Sequence, residues 1–413
     1  MNEVAKRILI ISYIFPPFPG IGGRRWAKFA KYLTREGYEV HLICAVSKVM
    51  EKSVWMQDVM DNKNLFIHTV DAFYPTVFTR KSANIFEKLR YKFWQIATSF
   101  LYHGYIYDKA IYSGNKFSVK AKEVIGHYQI QNVVVTGAPF RLVYYISRLR
   151  KQWPQFRLFA DFRDPWTWEP MSHYQQLSKK KLDYERKLEA FVIKNADTIL
   201  VPTKIMQEHL QITFPEYQKK CLVLPHAWDV DEIKPNFKIN EQTIRLIWYG
   251  TLYSNLESYI KLVAKEIKIA NGKIILDIFS DTNNYKELFD EAGALSWVNY
   301  YSQLPSRELY LLVRNYYAAI IINNDTDKDH VSTKFIELAA SQTPIIYIAN
   351  SGAAADFVSV NDLGWHLNIH LISGFFDKLR NGTLNKPSSK LDIEQLSFKN
   401  VTRELVKLME GQH

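Results

Sequence analysis

The stretch RILIISYIFPPFPGIGGRRWAKFAKYLTREGYEVHLIC, Arg7 to Cys44, decides the fold. It opens with an apolar, β-branched run, Arg7–Ser12. Pro16, Pro17 and Pro19 stiffen the exit, Gly20, Gly22 and Gly23 follow, and a helical pattern runs over Arg24–Glu36. A second apolar run, Val40–Cys44, closes the unit. Strands this uniformly apolar are covered on both faces, and strand–helix–strand order joins parallel neighbours.

Working outward, the alternation continues. Apolar runs predict strands at Leu65–Val70, Asn132–Thr136, Phe156–Ala160, Thr198–Val201 and Cys221–Leu224. A polar stretch containing Pro235 follows, and then the pattern restarts. Strands are predicted at Arg245–Tyr249, Lys273–Phe279, Trp297–Tyr300, Ala318–Ile322 and Pro344–Ile348. Helices fall between them at Glu257–Ala270, Tyr285–Ala292, Ser306–Arg314 and Thr333–Ser341. The reading is an α/β chain of two doubly wound, Rossmann-like domains: residues 1–230, a linker at 231–242, a second domain at 243–390, and a terminal helix in 391–413 that returns toward the first domain. Ligands of such sheets bind outside the carboxyl ends of the strands, so a cleft lined by post-strand loops is expected.

Composition narrows the classes. At 413 residues, 47% hydrophobic and 23% charged, the chain is globular and long enough for two cores. Its net charge of +11 suits phosphate-bearing partners. No nucleic-acid-binding module is recognisable, so nucleic acid is not expected. Cys44 and Cys221 form no CxxC, which argues against a disulfide framework or a zinc site and for a reducing, cytoplasmic setting. No secretory leader or run long enough to cross a membrane is visible. GxGxxG, P-loop, HExxH and GxSxG are all absent.

Four loops can carry chemistry. The Gly22-Gly23 turn ahead of Arg24 offers backbone N–H groups to an anion, or serves only the turn. Thr136-Gly137 ends another strand and reads equally well as a plain helix start. In ADFRDPW, Ala160 to Trp166, three ionisable groups follow a strand; Asp161 with Arg163 could simply lock the turn, and Asp164 could cap the next segment. In DKDHVSTKFIELAASQTPII, Ser332, Thr333 and Lys334 open a helix and would present hydroxyls, N–H groups and an ammonium to a phosphate. Glu337 lies one turn on, where a carboxylate can accept both ribose hydroxyls. The alternative is a capped helix with an ion pair.

In this order, the motifs resemble the family 4 glycosyltransferases of the two-domain GT-B fold. FPPFPGIGG resembles that family's opening loop, and ADFRDPW a D-[LF]-R-D-P-W motif of a bacterial surface-polysaccharide branch. CLVLPHAWDVDEI resembles its linker segment, and STKFIELAASQTP its donor-binding helix. The resemblance implies a retaining, metal-independent transferase, without a cofactor, that takes a nucleotide-sugar donor and a glycan or lipid-linked acceptor. It implies Glu337 on the ribose and Ser332, Thr333 and Lys334 at the diphosphate, bordered by Gly250, Thr251, Gly22 and Gly23. Asp329 would contact the donor sugar, and Asp164 with Arg163 would act at the sugar or acceptor. Arg24, Arg25, Thr136 and His226 are candidates for the acceptor or the cleft. There are departures. Asp329 stands where Glu is usual, His226-Ala227 replaces Asn-Gly, and no Lys follows Gly250 closely. These keep open a non-catalytic sugar-nucleotide-binding or scaffold relative, and a GT-B nucleotide-sugar epimerase.

One segment, about 78–107, stands apart. Ile85, Phe86, Leu89, Phe93, Ile96, Ala97 and Phe100 share a helical stripe beside Arg80, Lys81, Lys88, Arg90 and Lys92. It reads as a contact for an anionic inner membrane, or as a core helix with a solvated basic face.

Overall fold

A computed structural model describes residues 6–18, 21–46, 53–60, 62–79, 84–168, 174–233, 244–250, 255–281, 285–323 and 331–412. The chain divides into two compact units, Met1–Pro225 with Thr402–His413, and His226–Val401.

In unit 1 the strands are β1 (Arg7–Ile11), β2 (Glu39–Ala45), β3 (Leu65–Val70), β4 (Asn132–Gly137), β5 (Arg157–Phe162), β6 (Thr198–Val201) and β7 (Cys221–Val223). They form one sheet in the order β3-β2-β1-β4-β5-β6-β7, with every pair parallel. Its helices are α1 (Arg24–Arg35), α2 (Ile85–Leu101), α3 (Gly114–Tyr128), α4 (Phe140–Gln152), α5 (Lys179–Asn195) and α6 (Lys204–Thr213). Both sheet faces are covered, which is why β1, β2 and β4 are buried almost throughout with no alternation.

Unit 2 contains β8 (Ile244–Tyr249), α7 (Glu257–Ala270), β9 (Ile274–Phe279), α8 (Lys286–Glu291), β10 (Val298–Tyr301), α9 (Ser306–Val313) and β11 (Ala318–Ile322). It continues with α10 (Thr333–Ala340), β12 (Ile345–Ile348), α11 (Ala353–Val360), β13 (Gly364–Leu367) and α12 (Ile372–Arg380). The sheet order is β10-β9-β8-β11-β12-β13, again all parallel. One cluster around Leu246, Ile278 and Ile320 fills one face. Another around Ile247, Ile321 and Tyr347 fills the other. The chain ends in α13 (Phe398–Glu410) after a short 3-10 turn, Ile393–Leu396.

Both sheets reverse their strand order beside their first strand, between β1 and β4 in unit 1 and between β8 and β11 in unit 2. At such a switch point the two flanking loops run apart and leave a crevice at the carboxyl edge. The Gly22-Gly23 turn follows β1, Gly137 ends β4, and Gly250 follows β8. The candidate residues therefore stand where each topology opens.

Two local expectations change. The strand expected to stop at Ala160 continues through Phe162, because Asp161 and Phe162 pair with Thr136 and Gly137 of β4. Asp161 is therefore a strand residue. The terminal helix, expected within 391–413, begins at Phe398. Among the described residues, no helix is long and apolar enough to cross a membrane.

Candidate functional site

The carboxyl edge of unit 1 is organised by Asp161, near the end of β5, and Arg163, the first residue past it. Asp161 is fully buried. It accepts from the Trp26 indole at 2.7 Å, the Thr136 hydroxyl at 2.8 Å and the Arg25 guanidinium at 3.3 Å. Arg25 also donates to the carbonyls of Leu224 and Pro225 at 2.7 and 3.0 Å. A buried carboxylate needs such partners, and here it pins α1 and β4 to β5. The acceptor or cleft candidates Arg24, Arg25 and Thr136 are thus buried in unit 1, with Arg25 and Thr136 engaged on Asp161. His226 is half-buried at the start of unit 2.

Arg163 faces the loops. One terminal nitrogen donates to the Gly22 carbonyl and the other to the Ala138 carbonyl at 3.1 Å. Its Nε meets Asp164 at 3.3 Å. One guanidinium therefore joins the loops after β1, β4 and β5. Its side chain is 17% exposed while that of Asp164 is 45% exposed, so Asp164 offers a carboxylate oriented from behind. Gly23 packs closely, since a Cβ there would press on the Phe15 Cα and Pro16 Cδ at 3.2 Å. Gly22 has ordinary room, so its closeness to Arg163 comes from its backbone carbonyl. Among the described residues, the N-cap of α1, Gly23, offers no side-chain cap.

The residues after Asp164 anchor this edge from below. Trp166 is fully buried and stacks on Phe140 with ring centroids 4.8 Å apart. Its indole donates to Glu185 at 3.3 Å, and Glu185 pairs with Arg141 at 2.6 Å. Thr167 donates its hydroxyl to Glu189, whose carboxyl pKa burial pushes up to about 8.

In unit 2, β8 ends at Tyr249 and the chain turns through Gly250 at φ +94°, a conformation glycine adopts without strain. Lys334, in the first turn of α10, donates to the Tyr249 carbonyl at 2.7 Å and lies 4.7 Å from the centre of the Tyr249 ring. A Cβ on Gly250 would come within 3.3 Å of the Lys334 Nζ. Gly250 thus leaves room for the ammonium beside a bare backbone. Burial lowers the Lys334 pKa to about 8, against the opposing pull of Glu337.

Glu337 is only 6% exposed and lies one turn along the same helix. Ser332 is the N-cap of α10, yet its side chain makes no capping bond. Thr333 is half-buried beside it. Together these groups bring an ammonium, the first N–H groups of α10 and a buried carboxylate onto one helix beside the Gly250 turn. Thr251 and Asp329 lie outside the described residues.

Tyr249 escaped the sequence reading. Burial and nearby Glu337 raise its phenol pKa well above the ordinary value, so it stays protonated under the ammonium. Its only signal in the sequence was an aromatic residue at the last strand position before a glycine.

No protein-family model matches the chain, and no curated protein matches its sequence. Solved structures do. A sucrose-phosphate synthase from Thermosynechococcus elongatus superposes with a TM-score of 0.65 at 13% identity, over 98% of each chain. The lipopolysaccharide outer core galactosyltransferase WaaB, in its apo form, gives 0.61 at 15% identity, over 99% of this chain and 100% of that one.

The fold is GT-B.

A Listeria monocytogenes protein described as a UDP-N-acetylglucosamine 2-epimerase shares the GT-B fold too. It has a TM-score of 0.58 at 11% identity, over 98% of this chain and 96% of that one. A common GT-B scaffold thus carries more than one chemistry, and the reading of function has to come from the side chains.

Proposed function

We propose that this chain is a glycosyltransferase that moves a sugar from a nucleoside-diphosphate sugar to an acceptor hydroxyl, with retention of configuration. The observation that carries the reading is the grouping at the start of α10 in unit 2. It sets Lys334, the first turn of α10 and the glycine turn at Gly250 beside a buried carboxylate, Glu337. Such a set suits a diphosphate joined to a ribose. The GT-B neighbours that act on sugars, WaaB and sucrose-phosphate synthase, support the same class.

In this reading Glu337 accepts the ribose hydroxyls. Lys334 and the N–H groups at Ser332–Thr333 hold the diphosphate. The bond from the anomeric carbon to the diphosphate oxygen breaks and the nucleoside diphosphate leaves with the electron pair. The acceptor oxygen bonds the same carbon on the same face and passes its proton to the departing diphosphate oxygen. The main demand is on leaving-group charge, which fixed donors can stabilise without a metal. From resemblance, Asp329 would touch the donor sugar, and Thr251 would border the diphosphate. Asp164, oriented by Arg163, would meet the sugar or the acceptor. By the same token the product belongs to a cell-surface polysaccharide or glycolipid.

A second reading, a nucleotide-sugar epimerase, is favoured by the epimerase-like neighbour alone. The two separate in one assay. Incubation with UDP-, GDP- and ADP-sugars without acceptor should give slow release of nucleoside diphosphate, unaffected by EDTA and lost in Glu337→Ala. Recovery of a sugar of altered configuration would support the epimerase. Tight binding with no turnover under any acceptor would support a non-catalytic relative.

A further inference from the structure

Helix α2 is mounted inside out. The side that holds it to unit 1 is polar and aromatic. The Tyr91 hydroxyl donates to the Tyr107 hydroxyl at 2.9 Å and the Gln95 amide donates to the same oxygen at 2.8 Å. Thr98 shares a hydrogen bond with the Tyr112 hydroxyl. Trp94 packs against Phe73 and meets Tyr112 edge-on.

The opposite side is hydrocarbon. Ile85, Phe86, Leu89, Phe93, Ile96 and Phe100 are each 60–85% exposed. At helical spacing they occupy about 100° of arc. Lys88 and Lys92 border one edge of that arc and Arg90 the other. An amphipathic helix of a globular domain turns its apolar stripe to the core, and contiguous exposed stripes of this size mark a contact surface.

The flanking charge says what kind of surface. Within Ile85–Leu101 there is one acid, Glu87, against three bases. A second copy of this helix brings no acidic complement to those bases. An anionic bilayer supplies both halves of the match: acyl chains for the stripe, and phosphate headgroups at the depth of Lys88, Arg90 and Lys92. We propose that α2 lies in the interfacial plane of an anionic phospholipid bilayer, with Phe86, Phe93 and Phe100 inserted as anchors, and so docks unit 1 on the membrane. The 17-residue helix would lie along about 25 Å of surface. This docking does not depend on the reaction proposed above.

The test uses the full-length protein and vesicles of phosphatidylcholine, with and without phosphatidylglycerol, in a sedimentation assay. The parent should bind the phosphatidylglycerol vesicles, and added NaCl should weaken that binding. Phe86→Ser/Phe93→Ser/Phe100→Ser should lower the partition coefficient at least about tenfold. Lys88→Glu/Arg90→Glu/Lys92→Glu should remove the preference for phosphatidylglycerol. These residues are exposed, so circular dichroism and melting should match the parent. Failure of the parent to bind phosphatidylglycerol vesicles overturns the proposal, as does equal binding by the serine variant. So does a concentration-dependent dimer in ultracentrifugation that the serine variant dissolves while vesicles recruit nothing.

Discussion

The Lys334 ammonium lies 2.7 Å from the Tyr249 carbonyl oxygen, and burial lowers its pKa to about 8. A bound diphosphate would raise that pKa, because the charged form gains an anionic partner. Below pH 8 the lysine is protonated with or without ligand and affinity should be flat. Above pH 8 the free protein has lost the proton and the complex keeps it. Affinity should then fall, by up to about tenfold per pH unit. Stability of the unliganded protein runs the other way over the same window. Between about pH 8 and 10.5 the unfolded chain binds more protons than the folded one, so stability rises with pH. Titration calorimetry and thermal melts over pH 7–10 check both signs, and Lys334→Met should abolish both.

Glu337→Ala should weaken nucleotide binding by roughly 10- to 100-fold, the worth of hydrogen bonds to a charged group. Asp164→Asn, at an exposed position, should slow transfer while leaving the melting temperature unchanged. Unchanged transfer would reduce Asp164 to a turn residue.

At the scale of elements, the β5–loop–α5 assembly carries the edge that presents Asp164. Glu189 of α5 accepts from Thr167, and burial pushes its carboxyl pKa from 4.5 to about 8. The folded protein keeps a proton that the unfolded chain releases, so the contribution is fully present below pH 4.5 and lost as pH rises through about 8. Glu189→Gln stays neutral throughout. It should be roughly 1–3 kcal/mol more stable than the parent at pH 8, with the difference vanishing toward pH 4.5. Chemical denaturation at the two pH values measures it.

This assembly also shows where the sequence stops being legible. The strands were readable because a covered parallel strand is apolar throughout, as in β1, β6 and β11. β13 was missed: its four residues begin with Gly364 and are mostly half-buried, so neither apolar run nor alternation marks it. The nucleotide-side candidates were readable because Lys334 and Glu337 lie three residues apart on one helix. The partners of Asp161 were not, since Trp26 and Arg25 are 135 and 136 residues away. Helix α2 was half legible. Periodicity finds the stripe, and only the tyrosines that clamp its other side show that the stripe faces out.

On the scale of the whole molecule, two doubly wound sheets each place candidate groups at their own switch point. The basic balance of the chain, +11 overall, suits a phosphate-bearing donor and an anionic surface alike. The central claim is that unit 2 binds the nucleoside diphosphate of a sugar donor. Titration calorimetry of the full-length protein against UDP, GDP and ADP tests it most directly. Saturable binding of at least one of them is expected, weakened by Glu337→Ala and by raising the pH above 8. Absence of binding by all three would contradict the claim.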